Sequence, residues 1–329
     1  MERIIGIGNA LVDVLVRLDD ESVLATLGLP KGGMQLINDE QQQRLTEQIQ
    51  ALNPVLATGG SAGNAILALA NLGAEPGFVG RVGEDEMGRF FSDNCRETGI
   101  EARLIVGQGQ SGVANTFITP DAERTFATYL GVAAGLTAED ITPALFSGYQ
   151  LVHIEGYLLQ NHSLIRRICE VAKQQGLRTS IDLASYNVVN ENRAVLRDLV
   201  AKYIDIVFAN EEESAAFTQG KQPEEALLEI AGMAEVAVVK LGKRGALAMC
   251  NGERTFIPGR RLKVVDTTAA GDFFAGGFLY GLTHGGTLEQ CLQMGSLLAS
   301  NIIQVVGTRL PEQTWEGIRS EAEKIIHNS

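Results

Sequence analysis

Four short apolar runs, at residues 151–154, 178–182, 204–208 and 236–240, alternate with longer amphipathic segments near 161–175, 191–202 and 223–231. Runs without polar alternation fit strands covered on both faces, and a strand–helix–strand rhythm brings each strand back parallel to the last. The second half of the chain therefore predicts a doubly wound α/β domain on a mostly parallel sheet. Ligands of such sheets sit beyond the carboxyl ends of the strands. Asp182, Asn210 and Lys240-Leu241-Gly242 stand at those ends. A hairpin follows at 245–250 and 254–257, turning at Asn251-Gly252. A closing helix is expected from 287 to about 306, and a last one after Pro311.

The first half reads differently. A strand at 4–7 leads through Gly8-Asn9-Ala10-Leu11-Val12-Asp13 into a second at 14–18. Gly6-x-Gly8 begins a dinucleotide fingerprint, but Leu11 occupies the place of its third glycine, so a dehydrogenase is set aside. Asn9 and Asp13 are polar residues among apolar ones at the exit of a buried strand, where each must find a partner in the backbone or in a ligand. Gly59-Gly60-Ser61-Ala62-Gly63-Asn64 opens a helix. Such a turn lets a ligand approach the backbone, although glycine turns precede many helices that bind nothing. From 101 to 129 the texture is alternating and broken by Gly107, Gly109, Gly112 and Pro120-Asp121, which predicts an antiparallel meander. With segments near 9–18 and 33–38, the stretch 101–130 is expected to form a small antiparallel lid on a single domain spanning 1–329, closing over the chemistry and excluding water.

The stretch from 265 to 278 carries the strongest chemical signal. Small residues at Ala269, Ala270 and Gly271 leave successive N–H groups bare at the start of an apolar helix, a ready anion site. Asp272 follows at once. A carboxylate there either satisfies the helix dipole or acts as a base beside a bound phosphoryl group, and the spacing alone leaves both open.

Composition narrows the class. A formal charge of −13 without any basic run excludes a nucleic-acid surface. Cys95, Cys169, Cys250 and Cys291 are scattered without ligand spacing and read as reduced, buried thiols of a cytoplasmic protein. No apolar run reaches membrane-spanning length, and the N-terminus shows no signal-peptide pattern. The histidines His153, His162, His284 and His327 have no partner spacing.

Taken together, D-T-T-A-A-G-D at 266–272 and G-G-S-A-G-N at 59–64, about two hundred residues apart, resemble the paired signatures of the ribokinase, or pfkB, family of sugar and nucleoside kinases. The resemblance implies a ribokinase-like three-layer α/β/α fold, ATP and Mg²⁺ as cofactors, and a small sugar or nucleoside as the partner. It implies Asp272 as general base, with the N–H groups of Ala270, Gly271 and Asp272 receiving the γ-phosphoryl charge, and Gly59, Gly60 and Asn64 on the substrate side. Asn210-x-x-Glu213 is similar to the family's N-x-x-E, which organises magnesium. Lys240-x-Gly242-x-x-Gly245 resembles its T-x-G-x-x-G nucleotide loop, with lysine in place of threonine. Asp266 and Asn301 would fall on the nucleotide side. The spacing of Asn9 and Asp13 is similar to that of the adenosine-kinase branch, where the aspartate grips two ribose hydroxyls, and Arg124 resembles that branch's lid arginine. Adenosine is thus the leading acceptor, a free sugar such as ribose or fructose the next, and a silent nucleotide- or sugar-binding regulator the alternative. Two departures stand out: Ala269 where glycine is usual, and Ile66 where a small residue is usual, which narrows the substrate side or repacks the core. The chain is expected to be a monomer or a homodimer.

Overall fold

Strands and helices interleave through the computed structural model, which describes residues 2–121 and 123–327. In chain order the strands are β1 (Ile4–Ile7), β2 (Leu11–Arg17), β3 (Met34–Leu36), β4 (Val55–Gly59), β5 (Gly77–Gly83), β6 (Glu101–Gly107), β7 (Gly112–Ile118), β8 (Arg124–Tyr129), β9 (Leu151–Glu155), β10 (Arg178–Asp182), β11 (Ile206–Asn210), β12 (Val236–Lys240), β13 (Gly245–Cys250) and β14 (Glu253–Pro258). The α-helices are α1 (Ser22–Thr26), α2 (Asp39–Ile49), α3 (Ser61–Asn71), α4 (Glu86–Glu97), α5 (His162–Gln174), α6 (Tyr186–Tyr203), α7 (Glu211–Phe217), α8 (Pro223–Ala231), α9 (Ala270–Thr283), α10 (Leu288–Ile302) and α11 (Glu312–His327).

The large sheet has nine strands in the order β14-β13-β12-β11-β10-β9-β1-β5-β6. It is parallel from β12 to β6, and the β13–β14 hairpin adds an antiparallel edge, as the Asn251-Gly252 turn predicts. Leu164, Ile165, Leu196, Leu199, Leu227 and Ile230, from α5, α6 and α8, cover one face against Val152, Ile154, Ile181 and Val239. Ile66, Leu69, Phe274, Phe278 and Leu292, from α3, α9 and α10, cover the other against Leu151, Phe208 and Val238. The result is the expected three-layer α/β/α domain. Each of these fully buried side chains contributes roughly 1.5–3 kcal/mol, which is why the continuous apolar strands were so readable. Ile66 is fully buried, and a Cβ at Gly6 would lie 2.5 Å from its Cγ1. Its bulk is therefore absorbed in packing against β1, beside a glycine that leaves room for it.

A second sheet, ordered β3-β8-β7-β2-β4, stands where the lid is expected. It differs from the predicted meander in three ways. It is mixed, since β2 runs parallel to β7 and β3 to β8, while β2–β4 and β7–β8 are antiparallel. Residues 101–107 are not part of it: β6 pairs in parallel with β5 at the margin of the large sheet. An edge strand is wetted along one side and alternates like a lid strand, so periodicity could not separate the two. Arg103 helps to seal that edge by donating to the carbonyls of Ala144, Leu145 and Ser147. The lid instead recruits β4, whose five residues run straight into the Gly59-Gly60 turn. Val14, Val16, Leu24, Leu45, Ile49 and Phe117 form its own small core with α1 and α2.

Candidate active site

The seam between the two sheets lies where β1 passes into β2, and the polar residues of that passage face the starts of α3 and α9. Asn9 is buried and donates from Nδ2 to Oε1 of Glu155 at 2.6 Å. The other oxygen of Glu155 accepts from the Ala62 N–H at 3.2 Å. Glu155 itself gave no motif signal; its only mark is position, an acid closing an otherwise apolar strand. Gly8 is glycine because a Cβ there would lie 2.4 Å from Oε2 of Glu155. Burial pushes the Glu155 carboxyl up to about 7, against the opposing hydrogen bonds from Asn9 and Ala62.

Asp13 is half-buried on β2, with its carboxylate directly over Gly59, where a Cβ would meet Oδ1 at 2.3 Å. Its pKa is raised to about 7, first by burial and then by the charge of Asp272, while Arg124 works the other way. Gly60 takes φ 83°, and a side chain on it would strike the carbonyl of Asn9 at 2.3 Å. The two glycines therefore let the lid strand and the α3 turn approach each other.

Asp272 sits in the first turn of α9, half-buried at the bottom of this seam. Ser61 donates to its Oδ1 at 2.7 Å and Asn64 donates from Nδ2 to its Oδ2 at 2.9 Å, so both oxygens are oriented from α3. Burial raises its pKa to about 6; the hydrogen bonds from Asn64 and Ser61 and the charge of Lys240 restrain the rise, and Asp182 adds to it. Asn64 is buried with its Oδ1 unpaired, an acceptor waiting for a donor. Ala269 caps α9 in the left-handed region with φ 59°. The Ala270 N–H is spent on the Thr267 carbonyl at 3.2 Å, which corrects the expectation of three open amides; Gly271 and Asp272 N–H find no acceptor among the described residues. Two donors remain at the positive end of α9.

Asp266 is buried and acts as a clamp. Its Oδ1 accepts from the Thr268 N–H at 2.9 Å and its Oδ2 from the Gly307 N–H at 2.8 Å. Arg124, reaching down from β8 of the lid, pairs with the same carboxylate and donates to Thr268 Oγ1 at 2.7 Å. The lid arginine thus meets the turn that leads into the anion site.

Asn210 and Glu213 form a reciprocal capping box on α7. Asn210 Oδ1 accepts from the Glu213 N–H at 2.8 Å, and Glu213 Oε2 accepts from the Asn210 N–H at 2.7 Å. Glu213 is buried, and burial lifts its pKa to about 7 while Lys240 opposes and Asp182 reinforces the rise. Among the described residues no group of three or more acidic, cysteine or histidine side chains is arranged to hold a metal outright. The donor set is nevertheless all oxygen, and the excess of carboxylates around Glu213 suits a hydrated Mg²⁺ that keeps most of its waters.

Lys240 does not follow its loop. Its Nζ turns back across the sheet to Oδ2 of Asp182 at 2.6 Å. Gly242 at φ 55° and Gly245 at φ 115° carry the following turn, and a Cβ on Gly245 would collide with the Ile257 carbonyl at 1.9 Å. Asn301 is half-buried on α10 and donates to the Leu297 carbonyl of its own helix at 2.9 Å; among the described residues no hydrogen bond ties its side chain to the other candidate residues. The four cysteines are unpaired, and His153 is buried with its Nδ1 2.9 Å from the Ser180 Oγ.

Residues 29–315 match the pfkB family of carbohydrate kinases. The chain is 25% identical over 252 residues to an uncharacterized sugar kinase of Archaeoglobus fulgidus, covering 74% of this chain and 97% of that one. It is 28% identical over 260 residues to a 5-dehydro-2-deoxygluconokinase of Bacillus subtilis, covering 74% and 80%. Among solved structures, an adenosine kinase from Sinorhizobium meliloti superposes with a TM-score of 0.86 at 32% identity over 98% of this chain and 99% of that one. A probable sugar kinase from Rhizobium etli gives the same TM-score, 0.86, and the same identity, 32%, over 97% and 98%. The two sheets, the oriented aspartate at the mouth of α9 and this match over most of its length make the chain a member of the pfkB family of carbohydrate kinases, phosphotransferases that act on hydroxyl groups.

Proposed function

We propose that the protein transfers the γ-phosphoryl group of ATP to a primary hydroxyl of a sugar or ribonucleoside, with adenosine the leading acceptor and Asp272 the base. The observation that carries this reading is the setting of Asp272: half-buried, held on both oxygens by Ser61 and Asn64, and next to the open amides of Gly271 and Asp272. A residue serving only the helix dipole needs no such orientation.

In this mechanism Asp13 accepts hydrogen bonds from ring hydroxyls, and the unpaired Oδ1 of Asn64 takes another. The acceptor hydroxyl then points at Asp272, which removes its proton as the new bond to phosphorus forms. The amides at the start of α9 receive the equatorial charge, since phosphoryl transfer rests mainly on positioning and neutralisation. Mg²⁺, held through its waters by Glu213 and Asn210, would neutralise the nucleotide phosphates. Gly242 and Gly245 shape the turn beside the nucleotide, with Asp266 fixing the adjoining one. The 32% identity to an adenosine kinase is matched by the same identity to a probable sugar kinase, so a nucleoside is ranked first on the spacing of Asn9 and Asp13, and a free sugar is the second reading. A silent regulator on the same fold is disfavoured, because a binder has no use for an oriented base.

The test is ADP release with ATP, Mg²⁺ and a panel of nucleosides and sugars. Asp272→Asn is expected to lower kcat by about 10²–10⁴ while ATP binding stays nearly unchanged. Equal turnover by that variant removes the mechanism, and a hexose preferred over every purine nucleoside reverses the ranking of acceptors.

A further inference from the structure

Among the charged groups gathered at the strand ends, the ammonium of Lys240 is the one the mechanism leaves idle. It lies in a nest of acids: Asp182 at the end of β10, Glu213 on α7 and Asp272 on α9 all act on it, and His153 faces it from β9. Burial works against its charge, but Asp182 and Glu213 outweigh that and hold its pKa above the ordinary lysine value. An ammonium carries three donors. One goes to Asp182 at 2.6 Å, and among the described residues no other hydrogen bond engages the Lys240 side chain. The remaining direction is set by the backbone: a Cβ built on Gly271 would stand only 3.0 Å from Nζ. The charge is therefore flush against the first turn of α9, beside the unpartnered N–H groups of Gly271 and Asp272. A purely structural ion pair at this depth gives little stability and usually has its donors satisfied. Here two are left over, and they adjoin the anion site rather than the loop that follows Lys240 in sequence.

We propose that Lys240 is a catalytic residue for phosphoryl transfer: anchored on Asp182 and braced against Gly271, its ammonium binds the γ-phosphoryl oxygens as they pass from ADP to the acceptor. The inference rests on the kinase reading above. In the step, the bond between the γ-phosphorus and the bridging oxygen of ADP breaks, with its electron pair left on the β-phosphate. The acceptor oxygen forms the new bond to phosphorus, and its proton goes to Asp272. Lys240 keeps its own proton and neutralises oxygens that become more exposed to charge in the transition state, together with the two amides. A methyl group at Gly271 would crowd the ammonium and call for a shift of a few tenths of an ångström.

The experiment compares Lys240→Met, Lys240→Arg and the wild type in steady-state ADP release, with ADP binding measured alone and with acceptor plus aluminium fluoride as a mimic of the transferring group. Lys240→Met is expected to lower kcat by about 10²–10³, to bind ADP within about threefold of the wild type, and to lose the extra affinity conferred by the fluoride complex. Lys240→Arg, which keeps the charge, is expected to recover part of the rate. Because the ammonium holds the Asp272 pKa down, its removal is also expected to move the acid limb of kcat/KM to higher pH. Unchanged kcat in Lys240→Met overturns the proposal. So does an equal loss of ADP affinity, which would return the residue to the nucleotide loop. Should Lys240→Met fail to fold for want of a partner to Asp182, the double variant Asp182→Asn/Lys240→Met is compared with Asp182→Asn, and no added loss of rate from the methionine overturns it equally. A wild type silent toward every acceptor sinks the kinase reading and this proposal with it, whereas an active wild type with an indifferent Lys240 sinks this proposal alone.

Discussion

At Ala269 the backbone takes φ 59° and ψ 5°, a conformation that costs an alanine about 1 kcal/mol relative to a glycine. The strain sits one residue before α9, whose first turn is proposed to meet the phosphoryl group. The helix receives no side-chain cap there, so nothing local repays it. What holds the residue is packing, because Ala269 and Ala270 lean on the cluster of Phe273, Leu298 and Trp315. Ala269→Gly is therefore expected to leave kcat within about threefold and to raise unfolding stability by up to about 1 kcal/mol, part of the relief being offset by the greater freedom of glycine in the unfolded chain. Urea denaturation measures it. A clear loss of stability would mean that the methyl contact outweighs the backbone strain.

At the scale of elements, Arg124 ties the small sheet to the turn before α9. It comes from β8, and the carboxylate it meets also gathers the Thr268 and Gly307 amides, so on the proposed mechanism closure of the small sheet would order that turn. Arg124→Gln is expected to cut kcat about 10–100-fold with little change in melting temperature, since an open lid hydrates Asp266, and to speed amide exchange at 267–269. Exchange and rate both unchanged would leave the arginine a bystander. Which of these elements could be read from sequence follows from the range of the forces involved. The buried parallel strands and the two helix-opening turns were legible because local pattern and glycine placement determine them. The identity of β6 was not, since an edge strand and a lid strand alternate alike, and β4 was hidden because five residues offer too little period. Asp13 and Asp272 were singled out through motifs, and the fold brings the two carboxylates near each other. Glu155, the clamp role of Asp266 and the backward reach of Lys240 arise from contacts between strand ends far apart in sequence, for which no local spacing exists. Asn301, singled out for the nucleotide side, donates to a carbonyl of its own helix.

For the molecule as a whole, acids buried at one seam set activity and stability against each other. Asp13, Glu155 and Glu213 are raised to about 7 and Asp272 to about 6, each led by burial. A carboxyl raised in the folded state favours its protonated form there. Its contribution to stability is whole below the ordinary carboxyl range and disappears as pH climbs through 6 to 7. For Glu155, moved from 4.5 to about 7, the sum at stake is of the order of 3 kcal/mol. The surface acids with lowered values, Asp121 at about 2 among them, act in the other direction only below their ordinary range, whereas buried His153, lowered from 6.5 to about 4, opposes the carboxyls inside their own window and offsets part of their loss. The ligand-free protein is thus expected to melt highest near pH 5 and progressively lower toward pH 8, with Glu155→Gln flattening the slope. On the proposed mechanism catalysis requires the opposite protonation, because Asp272 as the base must be ionised to accept a proton, and kcat/KM is expected to fall below about pH 6. Mg²⁺ with ATP analogue, by neutralising the same carboxylates, should raise the melting temperature more at pH 8 than at pH 5. Parallel melting curves and pH–rate profiles on one preparation decide the matter: a melting temperature that rises between pH 5 and pH 8, or one that nucleotide and magnesium raise equally at both, would show that these acids are not held protonated by their burial.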